Sequence, residues 1–427
     1  MRPVTFGRVV KDAYLGDGPR KSYWKSTALF SELRQLFVSR NRAFRAHAVR
    51  DGLRFVFGGV EPVAGESIER ARAAVQWLLL AQSRGGDGGV SLGYFPCSPD
   101  GSSWKPSYPE TTGYIITSLL DYAKRFGDDA ARAAAKRMAH WEIDVQMSSG
   151  AVQGGSIRPP SEQTPAAFNT GMVLDGWCSA YEDAPDPRVL DAARRAADWL
   201  VADLDSDGHF RTNGAFVSPG EIKTYTCLCA WAVYRFGQIV GERRYLDAAL
   251  ACVEAALRQQ RPNGWFAHNC LVRSEAPLTH TIGYTLQGLL EVGVLAQRDD
   301  LIAAVRLTID QIALRISSNG YLPGLFYDDW EPAQFSSCLT GSAQIAIVCY
   351  RLYEHTARDE YRNHADRLLD FLKPLQALDS PNDEINGALA GSFPLFGQYM
   401  RAGYPNWATK YLLDALLLQD RAHARSD

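Results

Sequence analysis

The segment TGYII at residues 112–116 decides the fold, because its opening threonine recurs at regular intervals along the chain. TGMVL at 170–174 and TGSAQIAIV at 340–348 repeat the order of a threonine, a glycine and an apolar run. The recurring residues are spaced 58, 56, 55, 59 and 69 apart, and they are Thr112, Thr170, Thr226, Thr281, Thr340 and Thr409. Such a period is typical of one repeated supersecondary unit. Each repeat therefore predicts an apolar helix that begins at its threonine and is buried on most sides.

A second kind of helix precedes each apolar segment. It carries charged residues on one face and Ala, Leu and Trp on the other, over 69–82, 129–146, 188–205, 243–260, 299–316 and 360–376. This amphipathic pattern is typical of helices on the outside of a protein. The turn between the two helices contains glycine, as in Asp-Gly at 207–208 and Asn-Gly at 263–264, and such pairs supply the positive φ of tight turns.

Six apolar helices alternating with six amphipathic ones predict an all-α fold, an (α/α)6 toroid with an inner and an outer ring. We assign residues 66–427 to this toroid and residues 1–65 to an N-terminal helical extension. The longer connections precede the inner helices. Since long loops on a rigid scaffold are where binding sites concentrate, we expect the functional rim at the N-terminal ends of the inner helices.

Composition and charge exclude several classes of function. Hydrophobic residues make up 46% of the chain, charged residues make up 22%, and the net charge of -3 comes without a basic run, which argues against a nucleic-acid partner. We expect no transmembrane segment, because no apolar run reaches about 18 residues. The first residues also lack a signal-peptide core, so we expect a cytoplasmic location. The oligomeric state stays open.

The cysteines and glycines argue against a bound metal or cofactor. Most of the eight cysteines lie in predicted helices, which favours reduced thiols over disulfides. Cysteine and histidine residues at the expected rim do not have the spacing of a compact zinc motif. Phosphate-loop and dinucleotide glycine patterns do not occur. We therefore expect neither a metal nor a cofactor.

Carboxylates in the loops before the inner helices are candidates for acid–base catalysis, because glycosidic hydrolysis uses one protonated and one ionised carboxyl. Glu110 precedes the first repeated threonine, and the segment YDDWE at 327–331 contains Asp328, Asp329 and Glu331. We predict Glu110 with Asp328 or Asp329 as a hydrolytic pair. The alternative role of Glu110 is structural, since an acid at a helix N-terminus stabilises the helix dipole.

Aromatic and polar residues at the same rim suit a sugar, whose ring faces stack on aromatic side chains. If the reaction is elimination or epimerisation, Tyr225, His280 or Tyr284 is the candidate for proton abstraction. Lys223 and Lys410 would then hold the negative charge of the substrate. With Tyr284 and Glu331, the other predicted substrate-binding residues are Tyr108, Asn169, Trp265, His268, Tyr327, Trp330, Gln344 and Trp407.

The organisation of residues 66–420 resembles the (α/α)6 carbohydrate-active enzymes, which include glycosidases, polysaccharide lyases and sugar epimerases. SEQTPAAFNTG at 161–171, followed by LDGW at 174–177, resembles a helix-entry segment of glucuronyl carbon-5 epimerases. YPETTGY at 108–114, CLTGSAQ at 338–344 and NWATK at 406–410 are similar to toroid proteins of bacterial surface-polysaccharide synthesis. These resemblances imply an enzyme whose partner is an oligosaccharide or polysaccharide substrate, such as a uronic-acid-containing glycan.

Two other classes of function stay open. Gln82, Gln146 and Gln260, which precede glycine-containing turns, resemble the scaffold of terpenoid cyclases and protein prenyltransferases, although the Asp-x-Asp-Asp motif of the cyclases does not occur. An isoprenoid enzyme predicts a cavity lined by aromatic side chains around a single buried acid. A non-catalytic glycan-binding protein predicts rim carboxylates that only cap helices.

Overall fold

The computed structural model describes residues 42–57, 59–98, 100–214, 217, 220–271, 276–378 and 380–424. Within these ranges the chain forms thirteen α-helices. In chain order they are α1 (Arg42–Phe57), α2 (Ser67–Gly85), α3 (Pro109–Phe126), α4 (Asp129–Val145), α5 (Ala167–Asp183), α6 (Pro187–Asp203), α7 (Leu228–Val240), α8 (Arg243–Leu257), α9 (Thr279–Ala296), α10 (Asp299–Ala313), α11 (Leu339–Thr356), α12 (Asp359–Leu372) and α13 (Asn406–Ala424).

The odd-numbered helices from α3 to α13 form an inner ring, and the even-numbered helices from α2 to α12 form an outer ring. Each inner helix packs against the next inner helix and against the outer helix that follows it in the chain. The last inner helix, α13, packs against α11, α3 and α2, so it closes the ring between the two ends of the toroid. The predicted (α/α)6 toroid is confirmed.

The helix of the extension, α1, lies on the loops at one mouth of the ring. Phe44 packs edge-on against Tyr404, with 6.4 Å between ring centroids, and Phe55 packs against Phe393 at 5.6 Å. The side chain of Asp51 accepts a hydrogen bond from the backbone N–H of Leu395. The loop before α13 is therefore covered by the described part of the extension.

Two pairs of two-residue strands join the long loops at this mouth. Strand β1 (Gly93–Tyr94) pairs antiparallel with β4 (Tyr404–Pro405), and β2 (Ser337–Cys338) pairs antiparallel with β3 (Ser392–Phe393). The sequence pattern does not predict them, because strands this short have no measurable period. They connect the loops that precede α3, α11 and α13.

Five of the repeated threonines lie in the first turn of an inner helix, after its first residue, whereas Thr226 lies in the 3-10 turn that precedes α7. Thr112 and Thr170 are the fourth residues of α3 and α5. Oγ1 of Thr112 donates to the carbonyl of Tyr108 and accepts from the N–H of Val90, both at 2.9 Å. Thr170 makes the equivalent pair of bonds. At these two positions the threonine binds the turn of its own hairpin to the first turn of the inner helix.

The repeated glutamines join neighbouring hairpins. Nε2 of Gln376 donates to the carbonyl of Gly387 in its own turn, at 2.9 Å, and to the carbonyl of Arg70 in α2, at 3.0 Å. Gln82 and Gln146 make equivalent pairs of bonds to their own turn and to the next outer helix. The bond from Gln376 to Arg70 connects the last hairpin to the first.

We expect Gln376→Leu to lower the free energy of unfolding by about 2 kcal/mol, because two buried carbonyls lose their donor. Urea unfolding followed by circular dichroism measures the change. Gln163→Leu is the matched control, since the bond of Gln163 to the carbonyl of Arg158 is exposed, and we expect its effect to stay within about 0.5 kcal/mol. Equal losses in the two variants would contradict a role in ring closure.

A second prediction concerns Glu142, which is fully buried in α4. Neither carboxyl oxygen has a hydrogen-bond partner among the described residues. Burial raises the pKa of Glu142 well above its usual value, and the nearby charge of Asp87 adds to the shift. The folded protein therefore retains a proton that the unfolded chain releases above its ordinary pKa of about 4.3, so this group makes stability fall as pH rises.

We expect the gain in unfolding free energy from Glu142→Gln to increase with pH, by at most about 1.4 kcal/mol per unit between pH 5 and 8. Thermal unfolding of the wild type and the variant across this range measures it. Glu162→Gln, at an exposed position, controls for the change of net charge. A difference between Glu142→Gln and the wild type that is constant with pH would show that Glu142 is ionised in the folded protein.

Candidate functional site

The N-terminal ends of the inner helices surround the carboxyl of Glu110. Glu110 is the second residue of α3, directly after Pro109, which suits the first turn because proline needs no hydrogen-bond acceptor there. The hydroxyl of Tyr108 donates to Oε2 of Glu110 at 3.0 Å. Burial raises the pKa of Glu110 to about 7, although the hydrogen bond from Tyr108 opposes the shift. Near neutral pH this carboxyl can therefore both donate and accept a proton.

Tyrosine and phenylalanine side chains form the wall of the site. The ring of Tyr284 in α9 lies 4.7 Å from Phe168, 6.1 Å from Tyr411 and 6.4 Å from Tyr225, measured between centroids. Tyr114 packs against Tyr411 at 5.6 Å. These residues come from four inner helices and from the 3-10 turn before α7, so five of the six repeats contribute to one common aromatic cluster.

His280 is the basic group of this cluster. Its Nδ1 lies 2.6 Å from Oε1 of Gln344, and its ring lies 4.3 Å from Tyr284 and 5.5 Å from Tyr399. Because the amide oxygen accepts, we assign the proton to Nδ1 and leave Nε2 as the unprotonated nitrogen. Burial lowers the pKa of His280 to about 4, with the contact to Gln344 opposing the shift. The imidazole is therefore neutral at physiological pH.

Glu110 and His280 border the same tyrosines. Burial raises the pKa values of Tyr284 and Tyr399, and the nearby charge of Glu110 adds to both shifts. His280 lies at the start of α9, and its ring contacts the same two tyrosines. An acid and a neutral base are thus held around one group of phenols.

Two further predicted residues orient this group. Nδ2 of Asn169 donates to the carbonyl of Gln153 at 3.0 Å, and the Asn169 side chain also hydrogen-bonds Tyr108. Nε1 of Trp407 donates to the hydroxyl of Tyr399 at 2.9 Å. Both contacts hold tyrosines that border Glu110.

Some buried polar atoms of the cluster lack a partner within the described chain. They are the hydroxyl of Tyr114 and Nε2 of Gln344. Buried polar atoms are nearly always hydrogen-bonded in native proteins, to protein, water or a ligand. The amide nitrogen of Gln344 can therefore donate a hydrogen bond to a bound molecule, and the hydroxyl of Tyr114 can donate or accept one.

The structure places the acidic segment 327–331 elsewhere. The side chain of Asp328 is 56% exposed and pairs with Arg261 at 2.7 Å. Oδ1 of Asp329 accepts from the N–H of Glu331, and Glu331 lies at the exposed surface beside Arg315. The segment bonds to itself, to the turn after α8 and to Arg315, because a tight turn folds it back on itself. The structure does not bring these acids to Glu110.

The aromatic residues predicted beside that segment are packing residues. Trp330 is buried, its Nε1 donates to the carbonyl of Asn263, and its ring packs against Trp265 at 5.1 Å. The N–H of Tyr327 donates to the carbonyl of Glu331 within the same turn. His268 is exposed with a positive φ, and its carbonyl accepts from the N–H of Thr224. Trp330 and Trp265 therefore fill space between neighbouring hairpins, whereas His268 lies at the surface.

The two predicted lysines are already ion-paired. Nζ of Lys223 lies 2.9 Å from Glu221, and Nζ of Lys410 lies 2.7 Å from Asp414. Lys410 also lies over the rings of Tyr411 and Tyr114, at 4.1 and 4.8 Å from their centroids. The charge of each lysine is therefore compensated within the protein.

Other cations lie at the same rim as Glu110. A cavity of about 320 Å³ is lined by Phe95, Lys105, Ser156 and Arg401, among other residues of the loops that precede α3, α5 and α13. Lys105 is paired with the exposed Asp100 at 2.8 Å. Basic side chains therefore lie at this rim, and the charge of Lys105 is compensated by Asp100 in the same way as the charges of Lys223 and Lys410 are by their partners.

Four members of the cluster were not predicted as site residues: Tyr114, Phe168, Tyr399 and Tyr411. A signal was present for two of them, because Tyr114 and Tyr411 each follow a repeated threonine by two residues. Phe168 and Tyr399 carry no such mark. Tyr399 reaches the cluster only because its loop is held by the bond from Ser392 to its carbonyl and the bond from Trp407 to its hydroxyl.

The described residues show neither a candidate metal site nor a membrane-spanning helix. Their His, Cys, Asp and Glu side chains form no group of three or more suited to holding a metal ion. No described helix combines the length and the hydropathy that spanning a lipid bilayer requires. All eight cysteines are buried, and none of them forms a disulfide bond.

No protein-family model and no curated protein sequence matches the chain. Solved structures do match. An unsaturated glucuronyl hydrolase specific for heparin is 15% identical with a TM-score of 0.67, over 84% of this chain and 98% of that one. The unsaturated glucuronyl hydrolase of Bacillus sp. GL1 is 17% identical with a TM-score of 0.64, over 83% and 97%.

Cellobiose 2-epimerase from Bacillus thermoamylovorans also matches, with 9% identity and a TM-score of 0.63, over 82% of this chain and 98% of that one. These neighbours extend over nearly their whole length, so the likeness concerns the complete ring and not a fragment. At such low identity it is evidence of fold alone. This chain therefore has the (α/α)6 toroid fold that glucuronyl hydrolases and a sugar epimerase share.

Proposed function

We propose that this chain is a carbohydrate-active enzyme in which Glu110 and His280 transfer protons to and from a sugar bound at the N-terminal ends of the inner helices. The observation that carries the proposal is the pairing, around shared tyrosines, of a carboxyl whose pKa is raised to about 7 with a neutral imidazole. Perturbed groups of this kind concentrate at catalytic sites. The names of the structural neighbours, two glucuronyl hydrolases and a cellobiose epimerase, favour a glycan as the substrate.

The arrangement favours acid–base chemistry at a carbon beside a carbonyl or carboxylate. In this proposal Nε2 of His280 accepts a proton, and protonated Glu110 donates one. Elimination and epimerisation both need this pair. Hydrolysis by two carboxylates, the first expectation from the sequence, needs a second acid beside Glu110, and Asp328 and Asp329 lie with Arg261 and Glu331 instead.

A uronic acid is the substrate class that this site fits best. The tyrosine and tryptophan rings suit the apolar face of a sugar, and the free polar atoms of Tyr114 and Gln344 suit its hydroxyl groups. The cavity with Lys105 and Arg401 lies at the same rim and suits a carboxylate.

An isoprenoid enzyme is the second candidate, because Glu110 is the one described acid among the aromatic rings of the cluster. The phenol hydroxyls, Asn169, Gln344 and His280 make that cluster more polar than a hydrocarbon chain requires. We therefore place the glycan first.

The experiment is a product analysis with the purified full chain. Oligosaccharides ending in a saturated uronic acid, in an unsaturated uronic acid or in a neutral sugar are incubated with it in deuterium oxide, as is geranylgeranyl diphosphate. Deuterium at the carbon beside the carboxylate, or a new double bond, supports the proposal. Glycan cleavage by addition of water without deuterium exchange would favour the hydrolase, and turnover of the diphosphate alone would overturn the glycan assignment.

A further inference from the structure

A second, larger cavity opens at the other mouth of the ring, where the inner helices end. Its volume is about 910 Å³, and all six inner helices line it. Residues that contribute include Asp121 of α3, Trp231 of α7, Gln287 of α9 and Lys410 of α13. The Glu110 cluster lies at the opposite ends of these helices, so the proposed function does not use this cavity.

Lys410 separates the two regions. Its ammonium group lies over the rings of Tyr411 and Tyr114, which belong to the Glu110 cluster, and it pairs with Asp414 on the side of the cavity. Lys410 is buried. A layer of packed side chains therefore stands between the cavity and Glu110.

Most charges on the cavity wall are balanced by close partners. Arg235 contacts Asp175 at 2.5 Å and Glu182 at 2.6 Å. Arg351 makes two hydrogen bonds to Glu291, at 2.8 and 2.9 Å. Because these pairs are internal to the protein, the wall is strongly polar without a large net charge. A highly charged ligand would have to break such pairs, whereas a neutral polar ligand would not.

Among the described residues of the wall, Asp121, Gln287 and Lys124 at the cavity edge remain available as hydrogen-bonding groups, together with the ring of Trp231. The carboxylate of Asp121 is exposed to the cavity, and neither it nor the amide of Gln287 makes a hydrogen bond or ion pair with another described residue. The indole of Trp231 is half-buried at the wall and is packed by Arg235, whose guanidinium carbon lies 5.7 Å from the ring centroid. Arg235 is itself held by Asp175 and Glu182, so the indole is held in place.

We propose that this cavity is a second binding site, and that its ligand is a neutral mono- or disaccharide. Asp121 would accept hydrogen bonds from hydroxyl groups, Gln287 would donate and accept, and Trp231 would contact the apolar face of the ring. Few other small molecules combine many hydroxyl groups with an apolar face and no charge. The volume accommodates a sugar of this size.

The proposal is tested with the purified full chain by titration calorimetry and by tryptophan fluorescence, using glucose and cellobiose as neutral probes and glucose 6-phosphate as the charged probe. We expect saturable binding of a neutral probe. Asp121→Asn is expected to weaken it at least about tenfold, because hydrogen bonds to a charged acceptor are stronger than those to a neutral one. Trp231→Phe is expected to remove the fluorescence change.

Lys124→Ala is the matched control, since Lys124 is exposed at the edge of the same cavity. We expect it to leave affinity unchanged. Glu110→Gln is also expected to leave this binding unchanged while it abolishes turnover, which separates a failure of this proposal from a failure of the proposed function. No binding of neutral sugars, binding of glucose 6-phosphate alone, or equal affinity in the wild type and Asp121→Asn would overturn the proposal.

Discussion

Glu110→Gln is expected to reduce kcat by a factor of about 10² to 10⁴, which is the usual contribution of a general acid or base. Glutamine preserves the shape of the side chain and can still accept a hydrogen bond from Tyr108, so the fold should be retained. The amide cannot donate a proton to the substrate in the way that a carboxylic acid does. Steady-state kinetics on the glycan identified by product analysis, with melting temperature as the test of folding, measure the effect.

The pH dependence of kcat/KM distinguishes catalysis from helix capping. If the acid form of Glu110 is required, activity falls above pH 7, because the pKa of Glu110 is about 7. The hydrogen bond from Tyr108 lowers that pKa, so Tyr108→Phe should raise it and move the alkaline limb to higher pH. A profile that does not move would contradict the assignment of the limb to Glu110.

Asp328→Asn provides the control for this experiment. Asp328 is exposed and paired with Arg261, so we expect kcat to stay within about twofold of the wild-type value, as for surface substitutions of small effect. If Asp328→Asn is as inactive as Glu110→Gln, the hydrolytic pair expected from the sequence is correct. If Glu110→Gln lowers the melting temperature but not kcat, Glu110 is only a helix-terminal acid.

Gly176→Ala is expected to lower the free energy of unfolding by about 3 kcal/mol, because the added methyl overpacks the inner ring. A Cβ atom at Gly176 in α5 would lie 2.1 Å from the carbonyl oxygen of Gly113 in α3 and 3.0 Å from Ile116. The nearest obstacle is backbone, which cannot rotate away as a side chain can. The two helices would therefore have to separate.

Urea unfolding of Gly176→Ala beside Gly52→Ala measures this effect with a matched control. Gly52 lies in α1, and a Cβ atom there would meet nothing within 4 Å. Alanine at Gly52 should be neutral or stabilising by up to about 1 kcal/mol, because alanine has the higher helix propensity. If Gly176→Ala lowers the free energy of unfolding by no more than the change caused by Gly52→Ala, the contact between α3 and α5 adjusts freely to the added methyl group.

The location of Glu110 and His280 at one mouth of the ring could be predicted because their positions follow from the repeat. Each lies close to a recurring threonine, and the inner helices of a closed ring all begin at the same mouth. Asp328, Trp330 and Trp265 also precede an inner helix. In the structure, however, Asp328 lies in a turn that folds back on itself, and the two tryptophans pack between hairpins. The course of a long loop depends on its own contacts, which have no period in the sequence.

The sequence by itself determined the architecture, because the spacing of its repeated threonines and the alternation of apolar and amphipathic helices specify the ring, and Thr112 and Thr170 make the same local bonds in their hairpins. The side chain of Gln376 donates to the carbonyl of Arg70, and the side chain of Thr112 accepts from the N–H of Val90. Both bonds follow from the regular spacing of the repeats. Only the tertiary structure decided which side chains share a site. Tyr399 and His280 come together through ring closure and loop packing, and burial in that assembled cluster, not any local pattern, raises the pKa of Glu110 and lowers that of His280.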